Sequence, residues 1–250
     1  MFVMRLHTLL LAALFFSVSA RAETPLRVAV DVPYPPFAYE DEQGNLTGFD
    51  VDIARALCVE MKRTCDIVPV TFDDIIPAIV GGTVDVGIAG MGDTEERKKL
   101  VDFSDRYFRS YSVFIGDPDI LDVEELKGKK IGVQKGTLQE DYLNRELRSD
   151  AEIVTFPDLA AIKKALEDGS VDAALIEGLP SYEYLKSEKG SAFELIGPPL
   201  RDGNLGGASF IAVSKKTPQV TKQINAAIQA IRASGEYDQI NRKYFDFSIY

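Results

Sequence analysis

The segment TEERKKLVDFSD, from Thr94 to Asp105, places one arginine at a predicted helix start. Thr94 is a helix-capping type, and Glu95 and Glu96 suit the positive end of a helix dipole. Arg97 follows within the first turn, where a guanidinium fork can hold both oxygens of a carboxylate at once. Helix starts also leave backbone N–H groups without partners, so the amides of Gly92, Thr94 and Leu138 are candidate co-donors to the same anion. Leu138 belongs to a second such loop, KGTLQED, from Lys135 to Asp141. Other chemistry is excluded by composition. The single histidine, His7, sits in an N-terminal leader, so the mature chain has no imidazole for a triad, a general acid or a metal. The only two cysteines, Cys58 and Cys65, are a poor metal site without a histidine nearby, and no cofactor or metal is expected.

That leader is residues 1–22: a basic start with Arg5, an apolar run from Leu9 to Phe16, and small residues ending Ala20-Arg21-Ala22. It reads as a signal peptide cleaved before Glu23, and no other stretch is long and apolar enough to span a bilayer. No cysteine at the cleavage site could take a lipid anchor, so a freely diffusing periplasmic protein is expected. In an oxidising compartment the first reading of Cys58 and Cys65 is a disulfide, from the end of a helix to the start of the next strand. Removing the leader takes two arginines and no acids, leaving 26 bases against 39 acids, a net charge of −13. Such a surface argues against nucleic acid and anionic lipid as partners.

The elements that must position Arg97 alternate. Strands are predicted over Leu26 to Val32, Cys65 to Pro69 and Val84 to Ile88, with helices after Gly48 and from Asp73 to about Val80. A second run follows: strand Lys130 to Gln134, helix Leu138 to Glu146, strand Glu152 to Phe156, helix Leu159 to Glu167, strand Ala173 to Ile176 and a helix from about Ser181. Val220, Ile224, Ile228 and Ile231 then recur at helical spacing. This is an α/β layer pattern, and periodicity alone leaves one doubly wound domain or two lobes open.

Four segments in order carry more. YPPFAYEDEQGNLTGFDVDIA (Tyr34 to Ala54), FDDIIPAIVGGTVDVGIAGM (Phe72 to Met91), TEERKKLVDFSD and GEYDQINRKYFDF (Gly235 to Phe247) together resemble the polar amino-acid family of bacterial periplasmic solute-binding proteins, the receptors of ABC importers. The resemblance implies an α/β two-lobe periplasmic-binding-protein fold (type II). Lobe one would be residues 23–109 plus 208–250 and lobe two 110–207, hinged at two crossing strands within Phe108 to Gly116 and Gly206 to Phe210. It implies a monomer whose partners are a small amino acid or derivative and a membrane permease. It also implies a cysteine pair where Cys58 and Cys65 stand.

Residue roles carry over by position. Arg97 matches the arginine that binds the α-carboxylate, and Glu177, after AALI, matches an acid that takes the ammonium. The usual residue there is Asp, one methylene shorter. Tyr34 and Phe72 match two aromatics that sandwich the ligand side chain, and Asp31 an acid that faces the distal cation of basic ligands in some members. Gln134 and Gln139 lie on the second-lobe loop, to contact a side chain or close the gate. Met91 and Thr137 complete the expected ligand-binding set. The departure is IAGMGDTEER, where relatives carry hydroxyl residues and this chain has Gly90 and Gly92. Glycine makes room, so the expectation is a ligand whose nitrogen is held chiefly by Glu177 and can carry a substituent, as in receptors for opines. The alternative is an enzyme on the same scaffold, a cyclohexadienyl- or arogenate-dehydratase-like protein with Glu177 as acid. Against it, Pro180 stands where those enzymes have a carboxylate. A sensory input module is disfavoured, because no transmembrane helix or signalling domain follows residue 250.

Overall fold

The computed structural model describes residues 24–201 and 205–250, and the expected signal peptide lies outside the described residues. The chain opens with β1 (Leu26–Asp31), a short hairpin of β2 (Tyr39–Glu40) and β3 (Leu46–Thr47), α1 (Phe49–Glu60), β4 (Cys65–Val70), α2 (Phe72–Gly81), β5 (Val86–Met91), α3 (Glu95–Leu100) and β6 (Asp102–Arg109). It continues through β7 (Ser112–Gly116), β8 (Lys130–Gln134), α4 (Leu138–Glu146), β9 (Glu152–Phe156), α5 (Leu159–Glu167), β10 (Ala173–Glu177), α6 (Gly178–Leu185) and β11 (Glu194–Leu200). It closes with β12 (Ala208–Val213), α7 (Pro218–Ser234) and α8 (Glu236–Tyr244).

These strands form two five-stranded sheets, ordered β4-β1-β5-β12-β6 and β11-β7-β10-β8-β9. Each mixes a parallel core with antiparallel neighbours. Both faces of each sheet are covered by helices or loops, which is why the central strands are nearly continuous apolar runs. Phe37, Phe49, Tyr107, Phe108 and Tyr237 fill one side of the first sheet, with α1, α7 and α8, while Ile75 and Ile79 of α2 fill the other. The second sheet has its own clusters around Ile162 and Leu166 on one side and Phe114 and Leu143 on the other. The fold is therefore α/β with two lobes. The chain passes between sheets after β6, at Ser110 and Tyr111, and again between β11 and β12.

Cys58, near the end of α1, is bonded to Cys65, the first residue of β4. Several boundaries differ from the sequence reading. The third strand begins at Val86 rather than Val84, because Asp85 is occupied by Arg27, whose backbone N and side-chain Nε and Nη2 all donate to its carboxylate at 2.8–3.0 Å. It runs on to Met91 because β12, distant in sequence, pairs Phe210 with Met91. Helix α6 begins at Gly178, not Ser181; the Ser181 hydroxyl donates to Glu177 O and sits inside its first turn. β11 carries Gly197, Pro198 and Pro199 and reads as a breaker, yet an edge strand tolerates proline, and its ladder shifts register between Ile196 and Leu200.

Candidate functional site

Arg97 is set by its helix. Thr94 Oγ1 accepts from the Arg97 backbone N at 3.2 Å, capping α3 and starting it in the cleft between the sheets. The guanidinium then bridges the cleft: Nη1 donates to Gly92 O and Nη2 to Gly136 O, both at 2.9 Å. Its carbon lies 5.5 Å from the centroid of the Phe72 ring, at the start of α2. Burial lowers the Arg97 pKa from its ordinary value, but an arginine remains cationic at neutral pH. Thr137 caps α4 in the same way, accepting from Glu140 N at 3.2 Å, while its hydroxyl donates to Gln134 O and Glu140 Oε2 takes the Gly136 N–H. This interlock fixes the loop that carries Gly136 toward Arg97. Lys135 of that loop pairs with Asp73 of α2 at 2.7 Å.

Two buried carboxylates stand at this cleft, Glu177 in the wall it shares with Arg97 and Asp31 behind Gln134. Glu177, the last residue of β10, accepts from Tyr34 OH at 2.7 Å through Oε2, while Oε1 is enclosed and has no partner. Burial raises its pKa to about 7, with Tyr34 and the nearby Ser110 opposing the rise. Asp31, the last residue of β1 and only 3% exposed, accepts from Gln134 Nε2 at 2.9 Å through Oδ2, and its Oδ1 has no partner. Burial pushes it also to about 7, with Gln134 and a Phe72 amide lowering it and the Asp158 charge raising it. Such unpartnered buried oxygens cost stability unless something pairs with them.

A cavity of about 50 Å³ has both Arg97 and Glu177 in its wall. Arg97, Gly92, Phe72, Leu138 and Glu177 line it, together with Ser110, Ser112, Gly207 and Ser209 at or beside the two crossings. A smaller one of about 30 Å³ continues past Glu177 and Gln139 to Tyr34, Gln134 and Thr137. Gln139 Nε2 donates to Ser112 Oγ at 3.0 Å, and Ser112 Oγ to Leu205 O at 3.1 Å.

The structure thus brings together Asp31, Tyr34, Phe72, Gly90, Gly92, Arg97, Gln134, Thr137, Leu138, Gln139 and Glu177, with Thr94 serving as a cap. Met91 is different, because its side chain is buried in the apolar core beside α2. The room expected at Gly92 is also absent: a β-carbon there would meet Leu138 Cδ1 at 2.7 Å. Sequence reasoning passed over the serines of the crossings, whose signal was a pair of small hydroxyl residues in the run Arg109-Ser110-Tyr111-Ser112, where β6 gives way to β7. It also passed over Asp50, buried at the start of α1, which hydrogen-bonds Tyr107; Tyr107 OH in turn accepts the Gly90 N–H at 2.8 Å. Among the described residues no group of histidine, cysteine, aspartate and glutamate could hold a metal ion.

Comparison with known proteins adds a relationship to this geometry. The model of the bacterial extracellular solute-binding proteins, family 3, matches residues 26–247. An L-arginine-binding protein of Pseudomonas aeruginosa is 36% identical over 255 residues, covering 96% of this chain and 97% of its own. The lysine/arginine/ornithine-binding periplasmic protein of Escherichia coli is 31% identical, with 96% of each chain covered. Among solved structures, an ancestral arginine-binding protein bound to arginine superposes with a TM-score of 0.83 at 34% identity, covering 90% of this chain and 99% of that one.

Proposed function

The chain belongs to the bacterial extracellular solute-binding proteins, family 3, and on that premise we propose that it is a periplasmic receptor that closes two lobes, 23–109 plus 208–250 and 110–207, around an amino acid or an N-substituted derivative and delivers it to the permease of an ABC importer. The ligand carboxylate exchanges for Gly136 O on the Arg97 fork, a trade of a neutral acceptor for an ionised one that a guanidinium favours. The α-ammonium goes to the unpartnered oxygen of Glu177, and Tyr34 and Phe72 flank the side chain. One observation carries the ligand class: the cleft presents a single guanidinium, Arg97, and two buried carboxylates with an unpaired oxygen each, Glu177 in the cavity wall and Asp31 behind Gln134. That set complements a molecule with one carboxylate and two cationic centres, and the names of the relatives, arginine- and lysine/arginine/ornithine-binding, point the same way. A substituent on nitrogen would run from Glu177 toward the serines of the crossings, since Leu138 occupies the Gly92 side.

Closure needs no bond made or broken in the ligand: contacts to both lobes exist only in the closed form, so binding free energy draws the hinge. The relatives named above are binding proteins, which favours capture over catalysis. Glu177, raised to about 7, is the one feature that would also suit a dehydratase acid. The test is a thermal-shift and calorimetric screen of arginine, lysine, ornithine, histidine, glutamine and their N-methyl forms, with prephenate and arogenate turnover alongside. A dibasic amino acid at 100 times its Kd should add about 2.7 kcal/mol of stability. No shift from any of them, or turnover of either dehydratase substrate, overturns the proposal.

A further inference from the structure

Large and small side chains meet across the cleft in two matched pairs. Leu138, the first residue of α4, reaches from the second lobe to Gly92 of the first. A β-carbon on Gly92 would stand 2.7 Å from Leu138 Cδ1 and 3.9 Å from both Leu138 Cγ and Arg97 Nη1. Carbon atoms settle at about 3.5–4.0 Å from each other, so glycine is what lets the leucine seat. Two residues earlier, a β-carbon on Gly90 would meet Glu177 Oε2 at 3.3 Å and Phe108 Cζ at 3.4 Å. The acid of the second lobe lies against the space a side chain would take.

We propose that Gly90 and Gly92 are notches that receive Glu177 and Leu138 as the lobes close, so that the size match between residues 92 and 138 sets how firmly the closed form is held, whatever the ligand carries on its nitrogen. This rests on the reading of the chain as a two-lobe receptor. A contact made only in the closed form weights that form directly, and affinity falls with the fraction of molecules able to reach it. A side chain at 92 makes the terminal methyl of Leu138 move, and a leucine turned away either loosens the contact between the lobes or enters the cavity it lines. Position 92 is the cleaner probe, because Gly90 has a φ of +61°, a left-handed conformation that itself disfavours other residues, and Gly92 does not.

The experiment is a double-mutant cycle of Gly92→Ser and Leu138→Ala, with Gly92→Ala as a smaller probe. L-arginine and Nα-methyl-L-arginine are titrated by calorimetry, and lobe separation is read by solution scattering. Gly92→Ser should weaken both ligands by about 10- to 100-fold and by the same factor. Adding Leu138→Ala should restore affinity to within about threefold of the Leu138→Ala protein and recover compaction. A wild type that binds neither ligand overturns the receptor reading beneath the proposal. A wild type that binds, with Gly92→Ser and Gly92→Ala unchanged or with their losses unrelieved by Leu138→Ala, overturns the notch itself. So does a serine variant that shifts the preference between the two ligands, because position 92 would then touch ligand rather than leucine.

Discussion

Asp31 and Glu177 each hold one oxygen in a hydrogen bond and leave the other unpaired, so the protonation of the cleft is coupled to what enters it. Both titrate at about 7 in the folded chain, against roughly 4 when unfolded. Between those values the native state binds more protons than the unfolded one. Stability of the protein without ligand therefore falls, through these two groups, as pH rises from about 4 to about 7, and is level above. A ligand cation favours the carboxylate form and reverses the sense: binding expels protons, and affinity climbs with pH up to about 7. Calorimetry near pH 6.5 in two buffers of different ionisation enthalpy should give different apparent heats, and Asp31→Asn should shrink the difference. Equal heats and a flat affinity from pH 5.5 to 8.5 would remove the coupling. Arg97 carries the complementary prediction. Arg97→Ala should leave a folded protein with ligand affinity lowered by about 2 to 5 kcal/mol, and Arg97→Lys should fall between, keeping the charge without the fork. Affinity for arginine within threefold of wild type in Arg97→Ala would show that the carboxylate is anchored elsewhere.

At the scale of elements, the disulfide joins α1 to β4 on the far side of the first sheet's strand ends from Asp31. Closing so short a loop restrains the unfolded chain by about 2 kcal/mol. Replacing both Cys58 and Cys65 by Ser should lower the melting temperature and leave affinity for arginine unchanged; a parallel loss of affinity would tie α1 to the site. The helices and central strands were legible because each announces itself locally: Thr94, Thr137 and Asp158 cap where capping residues stand. β11 and the full length of β5 were not, since pairing with a strand far along the chain overrides what prolines and glycines say nearby. The site divides likewise. Arg97 and Glu177 could be read from a motif and its flanks, whereas the seating of Leu138 on Gly92 joins residues 46 positions apart and exists only once two lobes meet. A glycine in sequence signals freedom; here its use is to be filled by a neighbour.

At the scale of the whole molecule, polar contacts that cross the cleft among the described residues include Arg97 to Gly136, Lys135 to Asp73, Gln134 to Asp31 and Tyr34 to Glu177. An opening rotation breaks all four together, which makes an ensemble of open and closed forms the expected behaviour. Saturating arginine should reduce the radius of gyration in solution scattering and narrow the distance distribution between labels on α2 and α4. A scattering curve unchanged at saturation would point to a rigid body and a different mode of capture. The seat of β12 between β5 and β6 has a further meaning, one of time. A chain emerging amino end first has made β1, β4, β5 and β6 long before the strand that joins the last two, so the first sheet waits with two open edges. Every strand of the second sheet comes from the single run 112–200, so all its pairings close within that stretch. The larger lobe therefore completes its sheet only when residues 208–213 are available, whereas the smaller one needs no strand beyond residue 200.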